Sequence, residues 1–135
     1  MISFSFMKPN TMKNNNDHFY FAKELEWTEM AEGVSRKILG HDKQIMMVKV
    51  RFEAGAVGAL HQHVHTQTSY CAKGRFEFTV GEEKQIINYG DGVYIPSNVQ
   101  HGVVCLEEGV IIDVFTPARE DFLNGDAVSY FHNND

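Results

Sequence analysis

The feature that most restricts the fold of this chain is a period of two in its apolar residues, broken at short intervals by turn residues. Met46, Val48, Val50 and Phe52 alternate with Met47, Lys49, Arg51 and Glu53. Successive side chains of an extended strand leave opposite faces, so this pattern buries one face and wets the other. Phe76, Phe78 and Val80 alternate with Arg75, Glu77 and Thr79 in the same way. Lys84 to Asn88, Val93 to Ile95, Gly102 to Leu106 and Val110 to Phe115 read as further short strands. Gly55, Gly58, Gly74, Gly81, Gly90-Asp91-Gly92, Pro96 and Gly109 read as the turns between them. Many short strands with regular punctuation predict an all-β sandwich or barrel. The segment from Trp27 to Gly33 is expected to hold a helical turn.

A length of 135 residues suits one domain with one core. The net charge of −6 argues against a nucleic-acid footprint, which needs a basic face. The longest apolar runs, such as Gly109 to Phe115, are too short to span a bilayer. The start, Met1-Ile2-Ser3-Phe4-Ser5-Phe6-Met7-Lys8, has neither a basic n-region nor a small-residue cleavage site, so it does not read as a signal peptide. Cys71 and Cys105 are too few for a disulfide scaffold and are expected to be free thiols in a reducing cytoplasm. Residues 1–17 are polar and Asn-rich and are expected to form a loose tail. The expected division is an N-terminal tail and lead-in over 1–26, a β-barrel domain over 27–123 and a C-terminal tail over 124–135.

The run Val110 to Phe115 is apolar on both faces, Val110, Ile112 and Val114 on one and Ile111 and Phe115 on the other. It is expected to be covered on both sides. Asp113 is the one charge in it, on the side of Ile111 and Phe115. A buried carboxylate is costly unless it meets a partner, a metal or a proton. From the residues alone, that reading competes equally with a carboxylate bonded to backbone at a frayed strand end.

The densest chemical signal is the stretch Gly55 to Gln67, which holds His61, His63 and His65. Two residues apart on a strand, His61 and His63 send their imidazoles from the same face. Neutral imidazole is the commonest protein ligand for transition metals. His101 follows a turn and strand that can return it to this pair. His65 shares their parity and reads either as an extra ligand or proton carrier, or as a neighbouring or exposed residue. His18, His41 and His132 lie in polar segments and read as ordinary surface residues.

These residues resemble the cupin superfamily. Its first motif, Gly, five residues, His-x-His, three or four residues, Glu, six residues, Gly, is matched by Gly55, His61, His63, Gln67 and Gly74, with Gln67 in place of Glu. Its second motif is matched by Gly90, Pro96, Asn98, His101 and Cys105. Asn98 stands for the turn Gly, and Asn tolerates the left-handed backbone needed there. The resemblance implies a single-domain double-stranded β-helix, or jelly-roll barrel. A closer resemblance runs from Trp27 to Leu123, on the strings Phe52 to His61, Val93 to Val104 and Asp113 to Leu123. It is to the KdgF branch of pectin-degradation cupins.

That branch opens 4,5-unsaturated monouronates from pectin and alginate breakdown into linear 5-keto-4-deoxyuronates. The resemblance implies one divalent metal ion (Ni, Zn, Mn, Fe or Co) held by His61, His63, Gln67 and His101. It also implies reaction roles for Asp113, Phe115 and Arg119. Asp113 is the candidate acid/base. Arg119 offers a planar fork for a sugar carboxylate or, from the residues alone, is a surface Arg after Pro117, and Phe115 either packs on the sugar or is plain core. Gln67 brings no negative charge, so the ion keeps its positive field, and the two-His-one-carboxylate site of iron oxygenases is missing. Tyr70, Tyr94 and Gln62 are candidate cavity residues. The expected partner is a small sugar acid, with no nucleic acid or membrane, and a homodimer is a fold-level expectation. The alternatives are another metal-dependent cupin enzyme, a lyase or isomerase, and a non-catalytic sugar-binding or sensory cupin.

Overall fold

The computed structural model describes residues 18–124. The expected loose tail of residues 1–17, His132 and most of the C-terminal tail lie outside the described residues. A 3-10 turn, Ala22–Glu24, leads into eight strands: β1 Thr28–Ala31, β2 Val34–His41, β3 Met46–Phe52, β4 Val57–His61, β5 Thr66–Val80, β6 Glu83–Asn88, β7 Gly92–Ile95 and β8 His101–Thr116. A short helix, α1, covers Glu120–Leu123. Every pairing is antiparallel, in the order β1-β2-β3-β8-β5-β6, with β4 on β8 and β7 on β5. This is the expected all-β jelly-roll barrel.

The alternation in β3 is realised in full: Met46, Val48, Val50 and Phe52 are buried, while Met47 and Arg51 are exposed and Lys49 half-buried. They meet Val34 and Ile38 of β2, Phe76 of β5, and Ile111 and Phe115 of β8 in one core. Phe52 and Phe76 pack edge to face with ring centroids 5.2 Å apart. Fully burying one apolar side chain of this core is worth about 1.5–3 kcal/mol.

Three glycines read as turns are not turns: Gly58 lies within β4, paired with Val103, and the other two sit in the long strands. Gly74 lies inside the 15-residue strand β5, and Gly109 inside the 16-residue strand β8. A methyl built at Gly74 would lie 2.6 Å from the carbonyl oxygens of Glu107 and Glu108, and one at Gly109 would collide with the Lys73 carbonyl oxygen. The pairing slips beside them, between Cys71 and Phe76. There the two long strands cross in close contact and pass from one half of the barrel to the other. On one side of the crossing β8 pairs with β3, on the other with β4. What read as two strands, 102–106 and 110–115, is therefore one.

The expected helical turn at Trp27 to Gly33 is also wrong. Residues 28–31 pair with β2, and Gly33, at φ 77°, closes the hairpin. Trp27 is held from outside by Lys37 and Arg51, whose cations lie 4.6 and 3.9 Å from its ring centroid. The strand β2 went unread because its outward residues, such as Ser35, are mixed with a buried Arg36 and Lys37. The outward face of β8 is less covered than expected. Val110, Ile112 and Val114 are half-buried, beside exposed Met47, Tyr70 and Tyr94. Tyr94 is 62% exposed and, like Tyr70, sits at an outward position, so neither lines the barrel interior. Gln62 is exposed as well.

Candidate metal centre

Strand pairing brings the histidines together. His61, the last residue of β4, is the direct partner of His101, the first of β8. Gly102 permits this approach, since a Cβ there would lie 2.9 Å from the Gly58 carbonyl oxygen. The strand stops at His61, so His63 stands in the following connection rather than on the strand. That connection is pinned to the 96–98 turn: the Asn98 amide donates to the His63 carbonyl at 2.8 Å, and the Ser97 hydroxyl to the Val64 carbonyl at 2.7 Å. Asn98 adopts the left-handed conformation, φ 62°.

Backbone carbonyls fix the tautomer of all three rings. Nδ1 of His61 lies 2.8 Å from the Ala59 oxygen, Nδ1 of His63 3.0 Å from the His65 oxygen, and Nδ1 of His101 2.9 Å from the Val99 oxygen. A carbonyl only accepts, so each Nδ1 is the protonated nitrogen and each Nε2 presents a lone pair. The three rings offer ligand atoms within 4.8 Å of one another. Gln67 Oε1 lies 3.1 Å from His63 Nε2, which sets two acceptors face to face. The Nε2 of His101 is buried with no hydrogen-bond partner among the described residues. Three nitrogen lone pairs and one amide oxygen suit a divalent cation.

Burial keeps the rings neutral. It is the main cause that lowers the His61 pKa to about 4, helped by His101. Burial, then the nearby Arg119 charge, lowers His63 to about 3. His101 is lowered by burial too. At neutral pH the lone pairs are therefore free of protons, as metal binding requires.

Asp113 is 3% exposed and faces inward, opposite Ser69 on β5. Its Oδ1 accepts from the Ser69 hydroxyl at 2.6 Å and from Gln67 Nε2 at 3.2 Å. The carboxylate has buried side-chain partners, and the frayed-end alternative is excluded because Asp113 is paired on both sides, with Val48 of β3 and Ser69 of β5. Phe115 is fully buried, its ring centroid 5.8 Å from those of His63 and Phe122. Arg119 is 3% exposed. Its guanidinium lies over the rings of Phe122 (4.5 Å) and Phe115 (5.3 Å) and donates to both oxygens of Asp121. His65 sits beside the centre, its ring 5.3 Å from that of His63, half-buried and hydrogen-bonded to the Ala118 backbone. The structure thus gathers His61, His63, Gln67, His101, Asp113, Phe115 and Arg119 at one end of the barrel.

Ser69, Asp121, Phe122 and Arg36 were not singled out by the sequence. Arg36, buried in β2, lies over the Phe122 ring at 4.3 Å and donates to the Phe122 carbonyl at 3.3 Å. The inward parity of Ser69 with Gln67 was the one signal that pointed to any of them. Of the other histidines, His18 is exposed, while His41 lies in β2 with its ring 6.3 Å from that of Tyr20.

A histidine cluster at the open end of a jelly roll defines a metal-binding barrel class, and the cupin domain family model matches residues 48–115. The chain belongs to the cupin family. It is 44% identical over 107 residues to the pectin degradation protein KdgF of Dickeya dadantii (strain 3937), covering 78% of this chain and 97% of that protein. Among solved structures, KdgF from Halomonas sp. is 38% identical with a TM-score of 0.76, over 78% of this chain and 98% of that one. An RmlC-like cupin from Shewanella frigidimarina is 40% identical with a TM-score of 0.77, over 78% of this chain and 96% of that one.

Proposed function

We propose that this chain catalyses the metal-dependent opening of 4,5-unsaturated monouronates to linear 5-keto-4-deoxyuronates. The observation that carries the reading is the double use of Gln67. Its oxygen joins the three Nε2 lone pairs, and its nitrogen touches Asp113. The similarity to KdgF over nearly all of that protein's length supplies the substrate class.

His61, His63, Gln67 and His101 would hold one divalent ion, Ni, Zn, Mn, Fe or Co. When bound it supplies Lewis-acid stabilisation of negative charge on substrate oxygens. Asp113 takes the proton of the C1 hydroxyl. The C1 carbonyl forms as the bond from C1 to the ring oxygen breaks, and its electron pair leaves on that oxygen as an enolate. Asp113 returns the proton to C4, which completes the 5-keto-4-deoxy product with no other reagent. Arg119 faces the substrate carboxylate, and Phe115 walls the pocket and excludes water.

The reading includes a cupin domain over 27–123 between the lead-in (1–26) and the tail (124–135), and a cytoplasmic setting. Its partner is a small sugar acid, with neither nucleic acid nor membrane. Among the described residues no helix is long and apolar enough to cross a membrane. The largely exposed outward row of Met47, Val114, Thr68 and Tyr94, aligned across β3, β8, β5 and β7, supports pairing with a second copy.

The test is loss of the conjugated enol-carboxylate absorbance when purified protein meets pectin-derived and alginate-derived unsaturated monouronates, with and without chelator. Loss above the spontaneous rate, abolished by chelator and restored by a divalent ion, is expected. Tight binding with no acceleration would instead make this a sugar-binding cupin.

A further inference from the structure

We infer that Ser69 is a positioning residue that both aims the Gln67 oxygen at the metal centre and holds the Asp113 carboxylate. Ser69 is 5% exposed and faces Asp113 across the β5–β8 ladder, two residues beyond Gln67. A hydroxyl carries one proton and two lone pairs. Against a carboxylate that proton has one direction to go, and the 2.6 Å distance to Asp113 Oδ1 is in the range of a charge-assisted bond. With its proton so placed, Ser69 Oγ is an acceptor toward Gln67 Nε2, 3.0 Å away.

The Gln67 amide has two N–H donors and one oxygen. Ser69 Oγ and Asp113 Oδ1, 2.6 Å apart, lie together on the nitrogen side of that amide, at 3.0 and 3.2 Å from Nε2, and share one N–H between them. The nitrogen is thus held against the Ser69–Asp113 pair, which leaves the oxygen toward His63 Nε2. A flipped amide would set its oxygen against a carboxylate and point its nitrogen, which cannot ligate, at the histidines. In the lone hydrogen bond between Gln67 and Asp113 this preference would rest on one contact. Ser69 adds the second and ties ligand and acid/base into one rigid triangle. The hydroxyl contributes no chemistry of its own. The inference rests on Gln67 as a ligand and Asp113 as the acid/base.

The test compares Ser69→Ala, Ser69→Thr, Asp113→Asn and the double variant Ser69→Ala/Asp113→Asn. Metal-stripped protein is titrated with Co²⁺ alone, read by its ligand-field absorption, and turnover is measured on an unsaturated monouronate. Ser69→Ala should weaken Co²⁺ binding and lower kcat by roughly 10-fold or more each, the scale seen when groups that orient metal ligands are removed. KM should stay within about twofold, since the hydroxyl touches no substrate. Ser69→Thr should regain most of both. At saturating Co²⁺, where the effect on metal affinity is removed, the double variant should be no slower than Asp113→Asn, because Ser69 then acts on turnover through that carboxylate. Unchanged Co²⁺ affinity and spectrum in Ser69→Ala, no recovery in Ser69→Thr, or a further additive loss of rate in the double variant would each overturn the assignment. If the wild-type protein opens no unsaturated uronate, the substrate reading falls, while the Co²⁺ titration still judges Ser69.

Discussion

Asp121 grips Arg119 with both carboxylate oxygens, at 3.0 Å from Nε and 2.7 Å from Nη2. The pair is made within one turn of chain, and the guanidinium is stacked on Phe122 and Phe115. A lysine at this position keeps the charge and loses the planar fork and the stacking. Arg119→Lys is expected to raise KM about tenfold, equivalent to about 1.4 kcal/mol of substrate binding. Co²⁺ affinity should be unchanged. Steady-state kinetics beside metal titration checks this, and an unaltered KM would remove Arg119 from carboxylate recognition.

Gln67 gives the centre a neutral oxygen. Gln67→Glu adds a negative charge among the ligands and is expected to tighten metal binding while slowing turnover, because the ion then attracts developing negative charge less strongly. Competition against a chelator measures the first effect and initial rates the second. The argument about charge is lost if both stay at their wild-type values.

Asp113→Asn keeps size and hydrogen-bonding reach while removing the proposed base. Turnover should fall by roughly 10²–10⁴-fold, the usual cost of a lost acid/base. The melting temperature of the metal-loaded variant should stay near wild type. Near-normal rates would end its place in the reaction.

The metal-free protein should lose stability as it is acidified. His61 and His63 bind protons less readily folded, at about 4 and about 3, than at the ordinary histidine value of 6.5. Below pH 6.5 the unfolded chain therefore takes up protons that the folded chain refuses, and the balance shifts toward unfolding. The loss should begin near pH 6.5, be well advanced at pH 4 and level off near pH 3, as the folded rings finally titrate. Melting curves of chelator-treated protein across this range check it. A double variant with His61→Gln and His63→Gln should show a flatter profile.

Gly109→Ala should be costly although the residue touches no functional group. Its added methyl has the Lys73 carbonyl in its way and the Gly74 Cα 2.9 Å off, both of them backbone. Overpacking of this kind costs about 1–3 kcal/mol, and more where the obstacle cannot rotate aside. Urea unfolding of the variant measures it; a midpoint equal to wild type would show that the two strands can part at that point at little cost.

The histidine cluster was legible in the sequence because spacing carries it, two imidazoles two residues apart and a histidine after a Pro-containing turn, whereas Gln67 entered through the family resemblance. The period of two in β3 and β5 gave the barrel for the same reason. Gly74 and Gly109 misled because a glycine that opens a turn and a glycine that lets two strands cross look alike in one dimension. The segment after Trp27 misled because its four-residue strand is defined by pairing with β2, whose mixed polar and apolar residues carry no clear period. Ser69 and Asp121 are common polar residues. Their meaning lies in what stands across the ladder or across one turn of chain, which only the folded register supplies.

Both Arg36 and Arg119 lie over the ring of Phe122, one reaching it from the second strand and one from beside the metal centre. Phe122 is thus fastened by two buried cations that come from different elements of the chain. Anyone redesigning this barrel for a bulkier sugar would have to rework β2 along with the pocket wall, since the two share a single aromatic hinge pin.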